Sequence, residues 1–95
     1  MKIAEAVDGV AEVTGSLLNP QITVVPDSAS GSGALTAIPD DVPGAVHEAV
    51  NDESGSAVSL DLSAQKSLRL AGGFKAIKVE SSSSSDTFTL YVKGY

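Results

Sequence analysis

The residues able to do chemistry are few. The one histidine of this 95-residue chain, His47, lies in the stretch VHEAV. A zinc-binding helix would need a second histidine one turn away with a glutamate between the two, and that partner is missing. Nor does His47 stand in a serine–histidine–aspartate pattern, so it reads as a packing or surface residue. Asp40–Asp41 and the run Asn51, Asp52 and Glu53 offer hard oxygen ligands. Neither has the alternating acids and distal glutamate of a calcium loop, and solvated turns account for both. The stretch GSGA lacks the lysine of a phosphate cradle. With no cysteine, disulfides and thiolate metal sites are excluded. Catalysis requires a poised acid, base or nucleophile gathered in a pocket. No such set is legible, so the sequence reads as a non-enzyme without metal or cofactor.

The elements that would position any site are mostly strands. AVSLDL puts Val58, Leu60 and Leu62 on one face, and SLRL puts Leu68 and Leu70 inward with Arg69 outward. Gly72–Gly73 then marks a hairpin turn. In FKAIKV, Ile77 and Val79 face in and Lys78 faces out; Phe74 has the opposite parity, which calls for a bulge or an exposed aromatic. Phe88, Leu90 and Val92 alternate with Thr87, Thr89, Tyr91 and Lys93 in the last run. Period-two alternation in four successive runs predicts antiparallel sheet with one wet face. Ser81–Ser85 with Asp86 would close a solvent-exposed hairpin loop between the last two strands. QITVVP and ALTAIP read as strands stopped at Pro26 and Pro39, with a flexible DSASGSG between them. GAVHEAV fits a helical turn or a strand. The opening KIAEAVDGVAEVTGSLL is ambiguous, because Ile3, Val7, Val10, Leu17 and Leu18 loosely fit a helical face that Gly9, Thr14 and Gly15 would weaken.

Composition bounds the rest. A chain this short makes one domain and buries only about two-thirds of its surface on folding. No stretch approaches the roughly 20 apolar residues of a membrane helix. Glu5, Asp8 and Glu12 occupy the place of a signal-peptide core, so the reading is a soluble product of a cytoplasm, with no membrane partner. Net charge is −6, unevenly spread. Acidic residues fill the stretch from Ile3 to Leu62, which has no lysine or arginine, whereas Lys66, Arg69, Lys75, Lys78 and Lys93 dominate the remainder. The acidic total argues against nucleic acid as a partner, since phosphate contacts need a basic surface. Two solvated faces of one domain explain the segregation; the sharper alternative is head-to-tail attraction between copies.

The last third, with Gly72, Gly73, Phe74, Ile77, Lys78, Val79 and 86–95 as matching positions, resembles the closing strands of small β-sandwich proteins carried on tailed-phage virions. The resemblance implies a capsid decoration (cement) protein or a related head or tail accessory on the virion surface. Its partners would be the major capsid protein or other virion proteins, and the chain would be a dimer or trimer. No catalytic residues carry over. The expected architecture is all-β: a small antiparallel β-sandwich, jelly-roll or Ig-like, over residues 21–95, with residues 1–20 as an extended or partly helical arm or first element. Arg69, Lys75, Lys78, Phe74, Tyr91 and Tyr95 are the candidate interaction residues. The competing use is a glycan- or receptor-binding module. Sugar sites need aromatic platforms, and this chain offers only Tyr91, Tyr95 and Phe74, which favours the structural use.

Overall fold

The computed structural model describes residues 1–51 and 54–94. Nine strands follow in order: β1 (Lys2–Glu5), β2 (Val10–Leu18), β3 (Gln21–Ser28), β4 (Ser32–Pro39), β5 (Glu48–Ala49), β6 (Ser59–Asp61), β7 (Lys66–Arg69), β8 (Gly73–Ser81) and β9 (Thr87–Lys93). They form two antiparallel sheets. Sheet A has the order β1-β9-β3-β7, and sheet B the order β2-β8-β4-β5, with β6 also on β4. Strands β5 and β6 run the same way along one edge of β4, Ala49 opposite Thr36 and Ser59 opposite Ala34. They therefore act as one interrupted strand, and each sheet has four positions.

Except for the step β4-β5-β6, every connection crosses from one sheet to the other. This is jelly-roll winding, two interleaved Greek keys, and not the in-sheet hairpins of an Ig-like sandwich. It corrects two expectations. Gly72–Gly73 does not turn a hairpin, because β7 belongs to sheet A and β8 to sheet B. The serine run likewise joins β8 to β9 across the sandwich. Alternation fixes which side of a strand is apolar; it is silent on which sheet receives that strand.

Residues 1–20 are not set apart from the sandwich. Strand β1 pairs with β9, β2 pairs with β8, and Ala11, Val13 and Leu17 are buried in the core. The turn between them explains why no helix forms. Asp8 (φ 54°) and Gly9 (φ 77°) both have positive φ, and Val7 and Val10 exchange backbone hydrogen bonds of 2.8 and 3.0 Å. That is the two-residue primed turn for which Asp-Gly is suited.

The core is the seam between the sheets. Ile22, Val24, Leu90 and Val92 from sheet A meet Leu35, Ile77, Val79 and Leu60 from sheet B. Leu62 and Leu70, just outside their strands, fill the remaining space. Gly33 makes room for Leu62, since a Cβ there would stand 3.1 Å from Leu62 Cδ2 and 3.1 Å from Val79 Cγ1. Strand β8 carries one extra residue relative to β4 between Ala76 and Phe74, which leaves Lys75 as the bulged position. The bulge reverses the parity and returns Phe74 to the core side, where it packs half-buried. GAVHEAV is neither helix nor full strand; only Glu48–Ala49 pair, at the sheet edge. Strand β3 also passes through Pro26, which pairs with Phe88 of β9 beyond the point where β7 ends, so its missing N–H faces no partner strand.

Candidate interaction faces

Three places bring polar or charged groups together. The first is the outer face of sheet A, built by cross-strand register. Lys93 of β9 lies opposite Gln21 of β3, and Gln21 lies opposite Arg69 of β7. One row thus holds two cations either side of an amide, and Arg69 Nη2 donates to Gln21 Oε1 at 3.5 Å. The next row runs Ile3, Tyr91, Thr23, Ser67, with the Thr23 and Ser67 hydroxyls 2.8 Å apart. Met1, Gln21, Thr23, Tyr91 and Lys93 line a shallow depression there. Further along, Glu5 lies opposite Thr89, and Asp27 accepts from the Thr87 hydroxyl at 3.2 Å. The face is therefore dipolar, cationic at the Lys93–Arg69 end and anionic at the Glu5–Asp27 end.

The second place is the outer face of sheet B. Glu12 and Thr36 are both cross-strand neighbours of Lys78, one on each side. His47 contacts both, Nε2 with Glu12 Oε2 at 2.5 Å and Nδ1 with Thr36 Oγ1 at 3.4 Å. The imidazole therefore bridges the two strands that flank β8 and clasps the 40–47 segment to the sheet; Lys78, expected exposed, is half-buried between cross-strand neighbours on both sides. Threonine, histidine and glutamate in line have the order of a nucleophile, base and orienting acid. The setting does not serve acyl transfer. Thr36 is paired to both β8 and β5, so the ladder takes up the backbone N–H groups that an oxyanion would need.

The third place is the end where connections meet. Asp86 is only 6% exposed and its carboxylate gathers the serine arch. Oδ2 accepts from Ser81 Oγ at 2.6 Å and from the Gly31 N–H at 3.0 Å, and Oδ1 takes a longer contact of 3.4 Å from the Ser30 N–H. The Ser81 hydroxyl holds the Asp86 carboxyl below its ordinary value; burial pushes the other way, and the Gly31 and Ser30 amides add to the lowering. Ser81 N–H donates to Gly9 O, and Ser82 N–H to Ser32 O. The arch is thus tied to both the β1–β2 turn and the β3–β4 turn. The DSASGSG stretch, read as flexible, is pinned by the same carboxylate. Ser82, Ser84 and Ser85 remain exposed. Asp61 shows the same chemistry on a smaller scale: the Ser63 hydroxyl at 2.6 Å and the Ser63 N–H hold its carboxyl below the usual range.

The structure divides the residues singled out from sequence. Arg69 and Tyr91 share the outer face of sheet A, Arg69 exposed and Tyr91 half-buried. Phe74, Lys75 and Lys78 belong to sheet B, so the five do not form one surface. Of these, Lys75 is exposed at the bulge and Phe74 contributes to the core. Tyr95, Asp52 and Glu53 lie outside the described residues. The basic last third is not one face either, because β7 and β9 go to sheet A and β8 goes to sheet B. Lys93 and Gln21 complete the Arg69 row and were not singled out; the alternation of β9 placed Lys93 outward, but only the register places it beside Gln21. Also missed were the apolar groups of the rim. Met1, Ile3, Val7 and Leu18 are exposed on or beside β1 and β2, with Val42 and Val46 the others of their kind among the described residues. No protein-family model matches the chain, and no curated protein matches it.

Proposed function

We propose that this chain is a non-enzymatic structural protein of a virion, a decoration subunit that docks on a capsid surface and stabilises it. The observation that carries the reading is the exposed apolar rim. Four large apolar side chains, Met1, Ile3, Val7 and Leu18, lie on or next to the two strands that end each sheet on one side of the sandwich. Several large apolar groups left exposed along one side of so small a body favour a contact with another protein. The jelly roll suits the role, although the same architecture also serves lectin domains and fold alone does not choose between them. The closing strands' likeness to phage virion accessories supports the choice of partner. Docking is steered by the exposed cations, Arg69 and Lys93 on one sheet and Lys75 on the other, which act mainly on association rate and its salt dependence.

Co-sedimentation with shells that lack their decoration protein tests the reading. The wild-type chain should pellet with shells to saturation, and Leu18→Lys should weaken pelleting while leaving the fold intact. A chain that stays in the supernatant at every concentration overturns the proposal. A second reading has one observation of its own: Tyr91 flanked by Gln21, Thr23 and Lys93 offers an aromatic surface among hydrogen-bonding groups. Retention of a sugar on a glycan array, lost in Tyr91→Ala, with no binding to shells, would favour a glycan-binding module instead.

A further inference from the structure

Among the described residues no strand pairs with the outer edge of β1 at Ile3 and Glu5, and these residues match a second copy of themselves. Ala6 N–H donates to Phe88 O at 2.9 Å, so the even-numbered residues of β1 turn their backbone groups toward β9. By the alternation of antiparallel ladders, Ile3 and Glu5 turn their N–H and C=O groups away from the sheet, toward no neighbouring strand. The side chains of the odd-numbered residues stand on the outer face, where Met1 is 68%, Ile3 60% and Val7 71% exposed. These are three of the large apolar groups left in solvent, and they are concentrated on this edge.

We propose that β1 pairs with β1 of a second copy across a two-fold axis, joining two A sheets into one continuous eight-stranded sheet. Antiparallel pairing centred on Ala4 sets Ile3 opposite Glu5 of the other copy, and it ends before Val7, whose outward groups already bond to Val10. The four outward backbone groups of Ile3 and Glu5 in each copy then find partners, and the Ile3 side chains of the two copies lie on the same outer face. The charge pattern agrees with the same geometry. The cationic row of Lys93 and Arg69 lies at the Met1 end of the outer face, and Asp27 lies at the Val7 end. A two-fold through Ala4 therefore brings the cationic end of each copy into line with the anionic end of its partner. An isologous contact of this kind closes at two copies. The inference rests on the proposed function only in taking the exposed apolar rim as a protein contact: the Met1, Ile3 and Val7 edge meets a second copy and Leu18 is left to meet the capsid.

Sedimentation velocity from micromolar to millimolar protein tests the pairing, with two substitutions that spare the fold. Ile3→Lys places a charge beside the axis. Glu5→Pro removes an outward N–H while leaving the bonds to β9, a position where an edge strand tolerates proline. The wild type should dimerise, and each variant should raise the dimer Kd about tenfold or more with an unchanged circular dichroism spectrum. Amide exchange gives a reading on the wild type alone: the Ile3 and Glu5 amides should be protected at high concentration and exchange rapidly on dilution. A monomer throughout the range, an oligomer that neither substitution weakens, or Ile3 and Glu5 amides whose exchange ignores concentration would overturn the pairing. A monomer that still binds shells would defeat this inference alone, and a dimer that ignores shells would defeat the capsid reading alone.

Discussion

Replacing Leu90 with alanine should be among the most damaging single changes to this fold. Leu90 is fully buried at the middle of β9, between Ala4 of β1 and Val24 of β3. Phe88 and Val92, two residues to either side on the same face, are buried as well, so the site has little freedom to collapse around a lost side chain. A buried leucine shortened to alanine loses its transfer free energy and leaves a cavity, for a total of about 2–5 kcal/mol. Restricted collapse puts Leu90 in the upper half of that range, about 3–5 kcal/mol. A domain of this length has a total stability on the order of 5–14 kcal/mol, so the loss is a large fraction. Each kcal/mol moves the midpoint of a domain this small by about 4–8 °C, which predicts a fall of roughly 12–40 °C. Thermal melts followed by circular dichroism, together with urea titrations, measure it. Leu18→Ala is the matched control, because Leu18 is 53% exposed on the rim and should shift stability by no more than about 0.5 kcal/mol. A Leu90→Ala variant within about 1 kcal/mol of wild type, or one no worse than Leu18→Ala, would refute the placement of β9 at the centre of sheet A.

Other outcomes follow from the turns, the arch and the clasp. The folded-state carboxyl of Asp86 lies below its ordinary value, so its contribution is present above the unfolded value of about 4 and is lost as pH falls through the folded value. Melts between neutral and strongly acid pH should show wild type losing stability below about pH 4, with Asp86→Asn giving a flatter profile there and a lower midpoint at neutral pH. Gly9→Ala should destabilise by at least about 1 kcal/mol in urea titrations, because φ is positive and the new Cβ would stand 2.7 Å from Ser83 O. His47→Ala should speed amide exchange in the 40–50 segment while changing global stability by less than about 1 kcal/mol, as the Glu12 contact is partly solvent-exposed. Lys78→Glu sets a carboxylate directly opposite Glu12 and should lower stability by about 0.2–1 kcal/mol, whereas Lys75→Glu at the bulge should not.

The inward residues were legible because a pleated strand repeats every two residues. Leu60, Leu70, Ile77, Val79, Phe88, Leu90 and Val92 are all buried as their alternation requires. The outward set was legible less evenly. Arg69 is exposed on an edge strand, but Lys78 and Thr89 lie on inner strands and are half-buried by neighbours on both sides. Phe74's contrary parity did announce a bulge. What alternation could not carry is the choice of sheet, and every reading built on neighbouring strands failed for that reason. The serine run looked like a solvated hairpin because serines suit such loops. Its actual geometry depends on Asp86 reaching Ser81 and Gly31, a contact between residues 55 apart in the second case. The first strands were readable after all. Asp8–Gly9 between alternating residues signals a tight two-residue turn between strands, and weighing Gly9 only against helix concealed it. The segregation of charge along the chain was real, but winding between the sheets spreads the basic third over both faces. The candidate interaction surface was the least legible part. Arg69 and Tyr91 were visible singly, whereas the row with Gln21 and Lys93 exists only in the register.

The central claim, that this chain stabilises a capsid by binding it, is tested most directly by calorimetry of the shells themselves. A ligand that binds only the intact shell raises its stability by about 2.7 kcal/mol per site at a hundredfold excess over Kd. Undecorated shells scanned with increasing amounts of the protein should melt at progressively higher temperature until sites are filled, and Leu18→Lys should shift that rise to higher concentration. A melting temperature that does not move at any ratio of protein to shell would contradict the account.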